Sequence, residues 1–324
     1  MACTDGRVCA NGICGAACPD GQIQCGVSCV NTSTNPLHCG GCDKGCPANV
    51  QGGAYACETG QCVFQCFPGL RDSNQSLVDG CEDHSDLVLW LDATYIVGLK
   101  DGDDISVWHD RSGWDRDAAQ SNAAKRPKYR TKAVGSMPAL HFNAQQGHFL
   151  EVPLLQLFGT KSSELSVGVV FKADTPDFRG FLLTHSQPDC ASEFGLGYHV
   201  SNQPRANFGL KGECTGGTVM QENIDAEWNR ALITIQSTGS APANVHIVRN
   251  GIEQTVVSED MGWTGAGFYG TGTSRLIVGA HDNNGSIKAY HNGFIAEILV
   301  VRRALDAKEK DFLNKYWINR YGNF

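Results

Sequence analysis

The stretch Glu164-Leu-Ser-Val-Gly-Val-Val-Phe171 decides how most of this 324-residue chain is read. Polar or small residues alternate with Leu165, Val167, Val169 and Phe171. Successive side chains of a strand point to opposite faces, so a period of two describes a strand with one face in a core. Runs of similar character lie on both sides of it, at 86–91, 139–142, 148–152, 181–184, 194–198, 205–210, 231–236, 244–249, 253–257, 275–279 and 293–301. Arg249-Asn250-Gly251 between two of them signals a type I′ hairpin. About a dozen strands at short spacing predict an antiparallel sandwich. A single helix is expected near the C-terminus. Asp306 can cap it with Glu309 three residues on, Gly322 can end it, and Leu305, Phe312, Leu313, Tyr316, Trp317 and Tyr321 recur at helical spacing. Tyr316 and Trp317 are read as packing against a sheet.

The cysteines divide the chain. Thirteen of the 15 lie between Cys3 and Cys81, roughly 15% of the first 84 residues, against the ~8–10% that marks a disulfide scaffold. A reducing cytosol does not keep such a region oxidised, so the protein is read as secreted or displayed at a cell surface. Met1-Ala2-Cys3 runs into the cysteines without a charged or apolar leader, so a mature or recombinant fragment with an added start Met is expected. Zinc is the alternative, because Cys39-Gly-Gly-Cys42 has a metal-like spacing. A zinc ribbon, however, needs two separated pairs of that kind, and the remaining spacings vary.

An internal repeat supports crosslinks. Cys9-Ala-Asn-Gly-Ile-Cys14-Gly-Ala-Ala-Cys18 matches Cys57-Glu-Thr-Gly-Gln-Cys62-Val-Phe-Gln-Cys66, displaced by 48 residues. The same shift puts Cys25 on Ser73, so the second copy lacks one cysteine; alternatively the chain starts inside a repeat and leaves Cys3 without an upstream partner. Thirteen is odd in either case, so one thiol is left over: free, buried, or in an intermolecular disulfide. Spacing does not assign the pairing. Apolar side chains are sparse here, so order must come from crosslinks worth ~2–4 kcal/mol each. A stiff, protease-resistant stalk is the simplest use.

The formal net charge of −8 excludes a phosphate-coating surface, and no nucleic-acid partner is expected. No apolar run approaches the ~20 residues of a transmembrane helix.

From Leu89 onward a series of motifs follows in order: Leu89-Trp-Leu-Asp-Ala93, Val107-Trp-His-Asp-Arg-Ser-Gly113, Ala118-Ala119-Gln120, Arg126-Pro127, Pro138-Ala-Leu-His-Phe142, Ile277-Val-Gly-Ala280, Asn292-Gly-Phe-Ile-Ala-Glu-Ile-Leu-Val300, Arg303-Ala-Leu305 and Tyr321-Gly322. Over roughly 86–324 this resembles the concanavalin A-like lectin/glucanase superfamily in its laminin-G-like form. Cys39-Gly-Gly-Cys42 and Asp79-Gly-Cys-Glu82 resemble, more in composition than in pattern, Cys-rich repeats of secreted bacterial surface proteins. The resemblance implies a mainly β chain: an antiparallel jelly-roll sandwich with one C-terminal helix at 85–324, after a small disulfide-rich domain at 1–84. It also implies ligands on a concave face or on rim loops. It implies no single activity, since the fold hosts lectins, hydrolases, lyases and adhesion modules.

Glucanases of this fold place paired acids on one strand as E-x-D-x-E, which points both carboxylates into a cleft. No such spacing occurs. Glu82-Asp83 and Glu259-Asp260 are adjacent and would face opposite ways, and Glu297 stands alone and is read as structural. The strand-like Tyr198-His199 and His246 lack accompanying lyase motifs. Asp101-Gly-Asp-Asp104 and Asp282-Asn-Asn-Gly285 offer clustered oxygens, which suits either calcium or plain turn chemistry. Cys190 and Cys214 are expected to bond each other. Trp114, Trp263, Phe268, Tyr269, Asp282 and Asn283 sit in loop-like sequence and are the candidate ligand contacts, because sugar C–H faces stack on rings while Asp and Asn bond hydroxyls. The expected function is non-catalytic recognition of glycan. The alternatives are a surface-assembly subunit that binds a surface protein, and a polysaccharide hydrolase or lyase with an unrecognised site.

Overall fold

The computed structural model describes residues 8–10, 13–47, 52–67, 69–70, 72, 81, 85–152, 164–174, 180–186, 194–199, 207–211, 218–223, 226–236, 244–258, 275–283, 285–322 and 324. Two compact units result, Met1–Asp83 and His84–Phe324. Cys3, Ser73, Glu82-Asp83, Cys190, Cys214, Glu259-Asp260, Trp263, Phe268 and Tyr269 lie outside the described residues.

The first unit holds six short strands: β1 (Val8–Ala10), β2 (Ile13–Gly15), β3 (Ile23–Cys25), β4 (Ser28–Val30), β5 (Gly53–Glu58) and β6 (Gln61–Cys66). The first four form a sheet in the order β2-β1-β4-β3, and β5 and β6 form a separate hairpin. Disulfides join Cys18–Cys29, Cys25–Cys42, Cys39–Cys57, Cys46–Cys62 and Cys66–Cys81. The sulfurs of Cys39, Cys46 and Cys62 do converge, but all three are spent in these bonds, which removes the zinc alternative there. The repeat is structural. Cys9 faces Cys14 across β1–β2 as Cys57 faces Cys62 across β5–β6. Cys14 is also disulfide-bonded, and among the described residues the leftover thiol is Cys9.

The second unit is built from β7 (Leu87–Asp92), β8 (Val107–Trp108), β9 (Ala118–Ala119), β10 (Lys128–Val134), β11 (Met137–Phe142), β12 (Leu150–Val152), β13 (Glu164–Ala173), β14 (Gly180–Ser186), β15 (Phe194–His199), β16 (Asn207–Lys211), β17 (Thr218–Asn223), β18 (Trp228–Gln236), β19 (Asn244–Arg249), β20 (Ile252–Glu253), β21 (Val256–Ser258), β22 (Arg275–Val278), β23 (His281–Asn283), β24 (Ser286–Lys288), β25 (Gly293–Val301) and α1 (Ala307–Tyr321). One sheet runs β10-β11-β25-β13-β18-β19-β20, with β7 also paired to β25. The other runs β21-β17-β16-β15-β14-β22-β12-β9-β8. Every sequential pairing within these sheets is antiparallel. Leu165, Val167, Val169 and Phe171 of β13 meet Leu196, Leu276 and Val278 of the opposite sheet in one core. The strand that decided the sequence reading is thus the centre of a two-sheet sandwich.

Positive φ at Asn250 and Gly251 makes the expected β19–β20 hairpin turn. Asp306 and Glu309 form the expected capping box. β10 was not expected. It alternates Lys128, Arg130 and Lys132 with Tyr129, Thr131 and Ala133, the weak pattern of a sheet-edge strand. Helix α1 covers the outer face of its sheet: a Cβ on Gly168 of β13 would lie 2.8 Å from the Trp317 ring. Tyr316 and Trp317 are buried, as their reading as packing required, and so are Trp90 and Trp108. Among the described residues no helix is long and apolar enough to cross a membrane.

Candidate functional site

A groove opens where the chain leaves one sheet for the other. β7 ends at Asp92, a 3-10 turn follows at Ala93–Tyr95, and the chain then joins the edge of the second sheet at β8. Asp92 starts that turn, because its Oδ1 accepts from the backbone N–H and the hydroxyl of Thr94, each at 2.8 Å. The return segment is tied down by Asp110. Its Oδ1 accepts from the Trp90 and Ser112 amides, and its Oδ2 accepts from the Ser112 hydroxyl and the Arg116 amide. All four lone-pair positions of that carboxylate are used, so Asp110 organises the loop and has no capacity left to act as a base.

Between these two segments lies a cavity of about 600 Å³, whose walls include Tyr95, Leu99, Ser106, His109, Arg111 and the buried Trp108. Apolar side chains stand exposed at this rim: Tyr95 at 46% and Val97 at 87%. Burial would normally claim such residues. Arg111 donates its backbone N–H to Trp90 O at 2.8 Å. Its guanidinium carbon lies 3.3 Å from the centroid of the Tyr95 ring and 5.6 Å from that of Trp90. The Trp90 and Tyr95 rings meet edge-on at 6.4 Å. Stacking of cation on rings holds both Tyr95 and Arg111 in place. The acids of the groove are engaged elsewhere: Asp104 with Lys128 at 2.5 Å, Asp92 with Arg320 at 2.7 Å, and His109 with Asp117 at 2.8 Å.

A carboxylate pair does exist, but under α1. Glu297 sits directly across β7–β25 from Asp92. Trp90 Nε1–H donates to Glu297 Oε1 and the Tyr321 hydroxyl to Oε2, each at 2.9 Å. Burial, and then the neighbouring Asp92 charge, push the Glu297 carboxyl up to about 7. Burial raises Asp92 as well. Glu297 therefore does not stand alone: both carboxylates are buried, Glu297 under Tyr321 of α1 and Asp92 at the wall of the groove. A second closed cluster joins the buried Tyr198 hydroxyl to His291 Nδ1 at 2.9 Å. Burial pushes that imidazole down to about 3.

The sequence-derived candidates are held by separate elements. Trp114 is 43% exposed and donates its indole N–H to Leu87 O of β7, with the Arg116 guanidinium over its ring. Asp282 is buried in an ion pair with Arg275 of β22, which also reaches Glu151. Asn283 ends β23, whose hairpin with β24 lies beside Phe149 and Ile277, with Ile287 and Tyr290 packed on them. The acidic turns answer to cations and amides. Asp101 accepts from Arg130 and Thr131, Asp103 from the Lys100 amide, and Asp282 from the Gly285 amide. Tyr95 and Arg111 were not among the candidates. The available signal was an aromatic, Tyr95, followed by Ile96, Val97 and Leu99 in a segment too polar around them to be a strand.

No family model matches the chain, and no curated protein matches it. Among solved structures, domain 4 of AbnA, a GH43 extracellular arabinanase from Geobacillus stearothermophilus in complex with arabinotriose, is 16% identical, with a TM-score of 0.46 over 70% of this chain and 98% of that one. A CBM40 of the Ruminococcus gnavus IT-sialidase is 12% identical, with a TM-score of 0.35 over 51% and 96%. The Trypanosoma rangeli sialidase in complex with sialic acid is 14% identical, with a TM-score of 0.48 over 77% of this chain and 36% of that one. Similarity at this level carries no argument about what the chain binds.

Proposed function

We propose that the chain is an extracellular recognition protein that binds glycan, without turnover, in the groove beside Tyr95. The disulfides of the first unit support an oxidising compartment. The observation that carries the reading is the exposed Tyr95 ring, fixed by Arg111 and flanked by Ser106 and His109 in an open cavity. Such a ring offers a stacking face for sugar C–H groups, and the polar neighbours offer hydroxyl partners. Binding is favoured over cutting because the carboxylates lining the groove among the described residues, Asp92, Asp104 and Asp110, are each engaged, by Arg320, Lys128 and backbone amides.

A glycan array with the whole chain, followed by calorimetry on the best binder, tests this. Tyr95→Ala is expected to weaken binding at least about tenfold, and no product should form on prolonged incubation. Unchanged affinity in that variant, or release of sugar fragments, overturns the reading. A role in surface assembly is favoured by one observation, the Cys9 thiol; a dimer on a non-reducing gel that Cys9→Ser abolishes would establish it.

A further inference from the structure

We infer that the groove receives an acidic saccharide, whose carboxylate or sulfate group is taken by Arg111. This rests on the glycan reading of the same cavity and adds the chemical class. The negative groups of the groove are compensated: Asp104 by Lys128, Asp92 by Arg320, and Asp110 by its four donors with Arg116 nearby. Arg111 is the exception. It is exposed, and its guanidinium makes no ion pair or side-chain hydrogen bond among the described residues, although its charge also acts at longer range on Asp92. It is nevertheless fixed, by the ring of Tyr95 against its face and by its own amide on Trp90 O.

A guanidinium stacked by its face keeps its in-plane N–H fork available, and that fork matches two oxygens of one carboxylate or sulfate. Little rotamer freedom remains to be lost on binding, because the stack has already removed it. The whole chain carries a net charge of −8, which repels polyanions at long range. A preference for acidic polymers therefore has to come from a local site.

Binding of the whole chain to polygalacturonate, dextran sulfate, neutral dextran and poly-glutamate separates the cases. At least one of the two acidic polysaccharides is expected to bind tenfold or more tightly than dextran, and which one tells carboxylate from sulfate. Arg111→Gln should remove that preference, and Arg111→Lys, which keeps charge but loses the fork, should retain only part of it. Ser106→Trp places bulk in the groove while leaving the Arg111 side chain itself unchanged and should abolish binding, which keeps the test decisive if an Arg111 variant fails to fold. Equal binding of acidic and neutral polymers, poly-glutamate capture as tight as that of the polysaccharides, or an acidic preference that survives Arg111→Gln or Ser106→Trp overturns the inference. Neutral glycans that bind in a Tyr95-dependent way with no gain from acidity sink the inference and leave the glycan reading standing. Binding to no saccharide at all sinks both.

Discussion

Two buried groups, Glu297 and His291, set opposite pH dependences within one sandwich. Burial raises the Glu297 carboxyl from its ordinary 4.5 to about 7. The folded state then holds a proton that the unfolded chain has released, so this group's contribution is full below pH 4.5 and is lost as pH rises toward 7. Burial lowers His291 from 6.5 to about 3. Its contribution runs the other way: it is present above pH 6.5 and lost as pH falls toward 3. Each slope is about 1.4 kcal/mol per pH unit, and between pH 4.5 and 6.5 they oppose each other. In that window the Glu297 and His291 contributions therefore offset each other. Glu297→Gln keeps an acceptor for Trp90 and a donor for Tyr321, so it should fold and show stability rising with pH from 4.5 to 6.5. His291→Gln should show the reverse. Urea titrations followed by tryptophan emission at several pH values check this; parallel profiles for both variants would contradict the assignment.

At the scale of elements, the joint between α1 and β13 is the test of packing. Gly168 is the one residue of the Leu165–Phe171 alternation without a side chain. A Cβ there would lie 2.8 and 3.1 Å from two carbons of the Trp317 ring. Gly168→Val is expected to cost about 1–3 kcal/mol through overpacking, and Trp317→Leu in the same chain should recover part of it, a coupling that a double-mutant cycle reads directly. If the two changes simply add, the helix does not rest on this strand. The elements themselves were legible in sequence where a local rule acts: period two in β13, Asn250-Gly251 at a hairpin, and Asp306 with Glu309 at a helix start. β10 was missed because an edge strand buries little and needs no apolar alternation. The partner of Gly168 was not legible, since nothing local ties residue 168 to residue 317. The same holds for the site. Glu297 and Asp92 are opposed only by the β7–β25 register. Tyr95 and Arg111 meet only because Asp92 turns the chain at one end and Asp110 pins it at the other.

At the scale of the whole molecule, the two units obtain their order by different means, and this can be observed separately. The first unit buries few side chains, chiefly Val8, Ala54, Phe67, Leu70 and half-cystines. The second has a continuous two-sheet core. All six tryptophans, at 90, 108, 114, 228, 263 and 317, belong to the second unit, so their emission reports on the sandwich alone. A reductant removes the closed loops that limit the unfolded first unit, each worth ~2–4 kcal/mol. It leaves the β13-centred core without a comparable loss. Reduction followed by limited proteolysis is expected to degrade the first eighty or so residues and yield a fragment that begins near residue 84 and keeps native tryptophan emission. Without reductant the first unit should resist, and alkylation of the native chain followed by mass spectrometry should label Cys9 while leaving Cys18, Cys25, Cys39, Cys46 and Cys66 unmodified. Equal protease resistance before and after reduction would mean that the first unit has a source of stability other than its crosslinks. Labelling of any of those five cysteines in the native chain would show the pairing to be incomplete.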